Sequence, residues 1–228
     1  MSHPLDGAAL RVERAIEHYD EVCKRFVSFR ETNIDKVFVK DNPGPPQNLT
    51  VSFDSSLLVP LALSLPVSDC IHNLRATLDY LVYELAILDS GIVQEKTQFP
   101  IEDDPEVFHR RRRNKYLRGL SNDHVRAIEL MQPYMQIKWT KTLRSISNPD
   151  KHCRLTMLRP QLSRSVILHY MGGGGDFEFT VKGEKMYVKK EQVFSVGFGD
   201  SQLPVVETLN RLICSVGQTI DLFKPEFK

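Results

Sequence analysis

From Asp6 onward, apolar residues recur at Leu10, Val12, Ile16, Tyr19, Cys23, Phe26 and Val27, a spacing that predicts a long helix with one buried face ending near Thr32. Asp6 is suited to cap it. Alternating residues 35–41, the breaker Asn42-Pro43-Gly44-Pro45-Pro46 and the alternating Leu49, Val51 and Phe53 predict a β-hairpin over 35–55. After Pro66 a second long helix runs to about Ser90 on a stripe of Ile71, Leu74, Leu78, Leu81, Val82 and Leu85, with Gly91 at its C-terminal cap. Asp104 and Pro105 open a short helix, Ser121 caps another through Met131 that Pro133 stops, and residues 138–148 read as a helix that Asn148-Pro149 ends or kinks. The period then changes to two, at Val166, Leu168 and Tyr170, Phe177, Phe179 and Val181, Tyr187 and Val188, and Val193, Val196 and Phe198. Gly172-Gly173-Gly174-Gly175 separates the first two of these runs. A last helix begins at Pro204 and buries Val205, Leu209, Leu212, Ile213, Val216 and Ile220. The expectation is a single α+β domain over residues 1–228. It is mainly a helical bundle, with an inserted hairpin near 35–55 and a small antiparallel sheet near 166–198 before the final helix.

The chain has 228 residues, 41% hydrophobic and 26% charged, which excludes collagen-like, disordered and miniature disulfide-scaffold classes. The N-terminus lacks a basic segment followed by an apolar one, so a cytoplasmic protein is expected. Leu57 to Val67, the most apolar run, contains two prolines and is too short for a membrane span. Cys23, Cys70, Cys153 and Cys214 form no C-x-x-C pair and read as buried, reduced thiols. Net charge is only +1, yet residues 109–118 carry six permanent positive charges and no acid, leaving −5 for the remainder. Arg110, Arg111, Arg112, Arg113, Lys115 and Arg118 are therefore the candidates for contact with a nucleic-acid phosphate or an acidic protein partner.

Candidate chemistry concentrates on the second long helix. At about 100° per residue, His72, Arg75, Asp79 and Tyr83 share one stripe, away from the leucines. The stripe reads either as a helix-surface ion pair between Arg75 and Asp79 or as a site facing a groove. Asn73 and Tyr80 are its polar neighbours. A second cluster, Asp150, Lys151 and His152, follows the Asn148-Pro149 break, where an imidazole has the chemistry of a general base or phosphate ligand. Asp69, His72 and Asp79, or Asp150 and His152, have metal-ligand residue types, but no H-E-x-x-H or paired E-x-x-H spacing accompanies them. No P-loop, dinucleotide fingerprint or G-x-S-x-G elbow is present, so neither metal nor cofactor is expected.

Ile71-His72-Asn73-Leu74-Arg75-Ala76-Thr77-Leu78-Asp79-Tyr80-Leu81, Thr97-Gln98-Phe99-Pro100-Ile101, Leu117-Arg118-Gly119-Leu120-Ser121, Gln132-Pro133-Tyr134 and Asp150-Lys151-His152 resemble, in that order, a widespread bacterial family without an assigned activity. Its helix motif reads like H-N-L-R-[SA]-A-L-D-H and is similar to the R-x4-H signature of HEPN-type helical domains. That resemblance implies a four- or five-helix bundle acting as a homodimer. It also implies RNA as ligand, with metal-independent RNA cleavage in toxin–antitoxin or anti-phage systems. It assigns phosphate binding to Arg75; with Arg75, the stripe residues His72 and Asp79 and the separate His152 make up the candidate catalytic set. Tyr80 stands at the histidine position, and a phenol with a pKa of about 10 is a poor base at neutral pH. A non-enzymatic protein-interaction module is the alternative.

Overall fold

The computed structural model describes residues 3–42, 48–113, 115–152, 156–162, 177–181, 184–188, 194–199, 201 and 203–227. Within them the fold is α+β and mainly helical. The elements in order are α1 (Asp6–Thr32), β1 (Val37–Asn42), β2 (Asn48–Phe53), α2 (Ser64–Ser90), α3 (Pro105–Arg113), α4 (Asn122–Glu129), α5 (Lys138–His152), β3 (Leu158–Leu162), β4 (Phe177–Val181), β5 (Glu184–Val188), β6 (Phe194–Phe198) and α6 (Val205–Phe223). The chain divides into two compact units, Met1–Tyr19 with Pro66–Arg154 and Leu209–Lys228, and Asp20–Leu65 with Leu155–Thr208.

In the first unit the α2 stripe is buried as its spacing predicts, and Phe99, Phe108, Leu117, Val125, Ile128 and Leu143 complete the interior. Leu209, Leu212, Ile213, Val216 and Ile220 of α6 are buried as well. The second unit buries Val22, Phe26, Phe29, Val37, Phe194, Val196 and Phe198, with the Phe194 ring 5.8 Å from Phe29 and 5.6 Å from Phe53. The hairpin forms antiparallel with Val37 opposite Phe53 and Asn42 opposite Asn48. Among the described residues the C-terminal strands form two separate ladders, β3 with β6 and β4 with β5, rather than one sheet. β3 carries Pro160 opposite Val196, which a two-stranded ladder with open edges tolerates. The run 166–170, the tetraglycine 172–175 and the breaker residues 43–46 lie outside the described residues.

Three expectations are corrected. The buried face of α1 is Ala8, Ala15, Val22, Phe26 and Phe29, with Leu5 buried just before it, whereas Leu10 is 62% exposed and Ile16 and Val27 are exposed too. Large side chains dominate a hydrophobicity count, but the two alanines occupy the inward positions. The helix α5 does not stop at Asn148-Pro149 and continues to His152. A proline this close to the helix end removes a single backbone donor, so the last turn survives it. Of the cysteines, Cys70 is buried, Cys23 half-buried and Cys214 exposed, while Cys153 lies outside the described residues.

Asp6 is the first residue of α1, its carboxylate accepting the His3 N–H at 2.8 Å, whereas two other caps act where the sequence places them. Ser121 Oγ accepts the His124 N–H at 3.2 Å, and Asp104 Oδ1 accepts the Glu106 N–H at 2.7 Å, each capping a helix start. Asp89, near the end of α2, accepts the Ser121 N–H at 2.7 Å and lies 2.7 Å from His124 Nδ1, which ties α2 to α4. Among the described residues no helix is long and apolar enough to cross a membrane.

Two glycines provide a test of the backbone. Gly91 has φ +72° just beyond α2, and Gly217 lies inside α6; an added methyl would meet no atom within 4 Å at either position. Gly217→Ala should raise stability by about 0.5–1 kcal/mol through lost unfolded-state freedom. Gly91→Ala should lower it by about 1 kcal/mol through left-handed strain. The midpoints of urea unfolding check both signs.

Candidate functional site

The residues Phe99, Pro100, Ile101 and Glu102 connect α2 to α3 and are buried without belonging to a helix or strand. A buried backbone must still find hydrogen-bond partners, and here side chains provide most of them. Asp79 Oδ1 accepts the Phe99 N–H at 2.9 Å, and Arg75 Nη2 donates to the Phe99 carbonyl. Gln132, itself fully buried, donates through Nε2 to the Pro100 carbonyl at 2.9 Å and accepts the Glu102 N–H at 2.9 Å. Gln98 donates its N–H to the Tyr116 carbonyl at 2.9 Å. The i,i+4 spacing on α2 brings Arg75 and Asp79 within 3.5 Å, so the two side chains grip both polar groups of one residue.

Arg75 is only 8% exposed. Burial pulls its pKa below the usual arginine value, while Asp79, Glu102 and Tyr116 favour the charged form. Its Nη2 serves Phe99 and Asp79, and among the described residues its buried Nη1 has no hydrogen-bond partner. A buried donor left unmade costs about 1–3 kcal/mol, and more when charged.

Arg75 lines a cavity of about 480 Å³ with Gln98, Phe99, Glu102, Arg111, Tyr116 and Arg144 among its neighbours. Three guanidinium groups from α2, α3 and α5 therefore surround one carboxylate. Glu102 Oε1 lies 3.3 Å from Arg111 Nε, and Oε2 lies 3.8 Å from Arg144 Nη2. Arg111 also donates to the Tyr116 hydroxyl at 3.2 Å, with its guanidinium carbon 5.1 Å from the ring centre. Arg144 pairs on its other side with Asp103. Such a wall can bind an oxyanion by bidentate hydrogen bonds.

The other sequence candidates disperse. His72 is exposed and does not line this cavity. Asn73 is buried, donating to the Asp69 carbonyl at 2.8 Å and accepting from Arg11 Nη1 at 3.1 Å, a contact that joins α1 to α2. Asp79, Tyr80 and Tyr83 line a second cavity, of about 460 Å³, with Glu84, Gln94, Lys96 and Thr97. Arg11 stands over the Tyr80 ring, 5.5 Å from its centre. Of the described basic side chains of the run, only Arg111 reaches the arginine cavity. Arg110, Arg112, Lys115 and Arg118 are exposed, Arg112 donating to Asn122 Oδ1 at 2.8 Å, and the side chain of Arg113 lies outside the described residues. Asp150, Lys151 and His152 form the end of α5, and their side chains also lie outside the described residues. Glu102 and Arg144 carry no motif, and Gln132 belongs to one, Gln132-Pro133-Tyr134, that assigns it no role. Only their tertiary contacts reveal them.

If Asp79 holds the Phe99 backbone, Asp79→Ala should destabilise the fold by about 1–3 kcal/mol. Asp79→Asn, which retains an accepting oxygen, should cost less; equal losses in urea unfolding would contradict the clamp. Among the described residues no three His, Cys, Asp or Glu side chains gather as a metal site. Comparison with known proteins finds no matching family model, no similar curated protein and no similar solved structure, so the functional reading rests on this geometry.

Proposed function

We propose that this protein binds RNA or another phosphate-bearing ligand in the cavity lined by Arg75, Arg111 and Arg144. The observation that carries the reading is a cavity of about 480 Å³ whose lining sets three guanidinium groups, that of the largely buried Arg75 among them, around one carboxylate. The planar forks of Arg111 and Arg144 match phosphate geometry. The exposed Arg110, Arg112, Lys115 and Arg118 would add attraction that weakens with salt. Surface arginines alone would support an acidic protein partner equally well; arginines gathered in one cavity of about 480 Å³ favour a small anionic group.

Binding is the part of the reading with geometric support. Strand cleavage needs a group that takes up the 2′-hydroxyl proton. Among the described residues the arginine cavity is lined by no histidine, and Tyr80 lines a different cavity. The same RNA run on a denaturing gel reports cleavage directly.

Fluorescence anisotropy with labelled single-stranded RNA tests the proposal. The wild type should bind with a salt-dependent affinity, and Arg111→Gln should weaken it about tenfold, the loss of a charge-assisted contact. Arg75→Ala should abolish binding, with circular dichroism establishing that the variant is folded. Retained RNA binding in Arg111→Gln and in folded Arg75→Ala would overturn the site, and binding by the wild type of neither the RNA nor adenosine 5′-monophosphate would overturn the function.

A further inference from the structure

The second cavity, of about 460 Å³, has a chemistry that the phosphate reading does not use. We infer that it binds a small organic cation, an ammonium group carried on an apolar body, with Glu84 as its counter-ion and the Tyr80 and Tyr83 rings as the wall around it. The two cavities share no lining residue, so this site stands or falls independently of the arginine cavity.

Helical spacing gathers the wall. Tyr80, Tyr83 and Glu84 stand at i, i+3 and i+4 of α2 and so share one face, while Gln94, Lys96 and Thr97 from the segment after the helix line the rest. Close packing holds that segment in place. Gly119, at φ +85°, comes so near that an added methyl would lie 2.9 Å from Gln94 Cγ, and the buried Gln94 donates through Nε2 to Ser90 Oγ at 3.1 Å. The volume lies within the range of about 300–1,000 Å³ typical of small-molecule sites.

Glu84 is the group that needs a partner. It is half-buried, and burial pushes its carboxyl pKa up with no neighbouring cation to offset the shift. Among the described residues it forms neither a hydrogen bond nor an ion pair. The other carboxylate of the lining, Asp79, already has Arg75 and the Phe99 N–H. Lys96 is exposed and makes no ion pair with Glu84, and Arg11 is engaged by Asn73 and the Tyr80 ring. Total charge around the cavity is therefore not negative; what selects a cation is one local carboxylate that lacks a partner. An ammonium donor would let Glu84 keep its charge at that depth.

The tyrosines set the rest of the ligand. An aromatic face attracts a cation within about 6 Å of its centre and offers carbon surface to an apolar body. Tyr80 already does this for the protein's own Arg11, whose guanidinium carbon is 5.5 Å from the ring centre, and Gly7 packs against the same ring. Tyr80 is nevertheless 40% exposed and Tyr83 half-buried, so neither ring is sealed from a ligand.

Isothermal titration calorimetry at neutral pH with benzylamine, benzyl alcohol and benzoate, which share a ring and differ in charge, tests the inference. The wild type should bind benzylamine about tenfold tighter than benzyl alcohol, the gain of one charge-assisted contact, and benzoate more weakly than either. Glu84→Gln should remove the preference for the amine, and Tyr83→Leu should reduce it several-fold. Lys96→Met should leave it unchanged or enlarge it. Equal binding of amine and alcohol, tighter binding of benzoate, a preference that survives Glu84→Gln, or binding of none of the three would each overturn the inference. Glu84→Gln should also unfold at the urea concentration of the wild type or a higher one, because it removes a desolvated charge. Earlier unfolding would mean that Glu84 serves a structural contact, and the inference would fall.

Discussion

The first unit depends on how a buried, irregular peptide satisfies its backbone. Phe99 to Glu102 cross the interior with no helix or strand to complete their hydrogen bonds, and a bare buried amide or carbonyl is too costly to leave alone. Arg75 and Asp79 from α2 and Gln132 after α4 take the place of a neighbouring strand. The consequences extend outward. Phe99 can be buried because its polar backbone is met, Glu102 is fixed by its own N–H, and Arg75 is drawn to a depth where a guanidinium is rarely found.

That depth gives the site its chemistry. A guanidinium has five donors in a rigid fork, and two acceptors cannot occupy all of them. Structure uses Nη2, and among the described residues Nη1 is left without a partner. The low-dielectric surroundings that depress the arginine pKa also strengthen any anion contact made there. Arg111 and Arg144 would contribute less in open solvent; beside Arg75 and around Glu102 they line one cavity.

The fold was legible in proportion to how far large apolar residues carried it. Every position of the α2 stripe and all six of the α6 stripe are buried, because a long run of leucine, isoleucine and valine at helical spacing admits one inward face. The α1 face was misread because its inward positions include Ala8 and Ala15, which a hydrophobicity count underweights. Pro149 misled in the other direction, since a proline near a helix end removes only one donor. The site was half legible. Arg75 and Asp79 stood out as a spaced pair, but the spacing said nothing about the Phe99 backbone they hold.

What the sequence by itself determined is therefore local: the helices and hairpin, their caps, and the pairing of Arg75 with Asp79, all set by residues a few positions apart. Tertiary structure alone decided which charges share a space. It chose Arg111 from the basic run, added Arg144 and Glu102 that no motif marks, and sent His72 and Tyr80 elsewhere. The reason is that burial and electrostatics depend on distances through space, and Arg75, Glu102, Arg111 and Arg144 meet only once α2, α3 and α5 have packed around the clamped peptide.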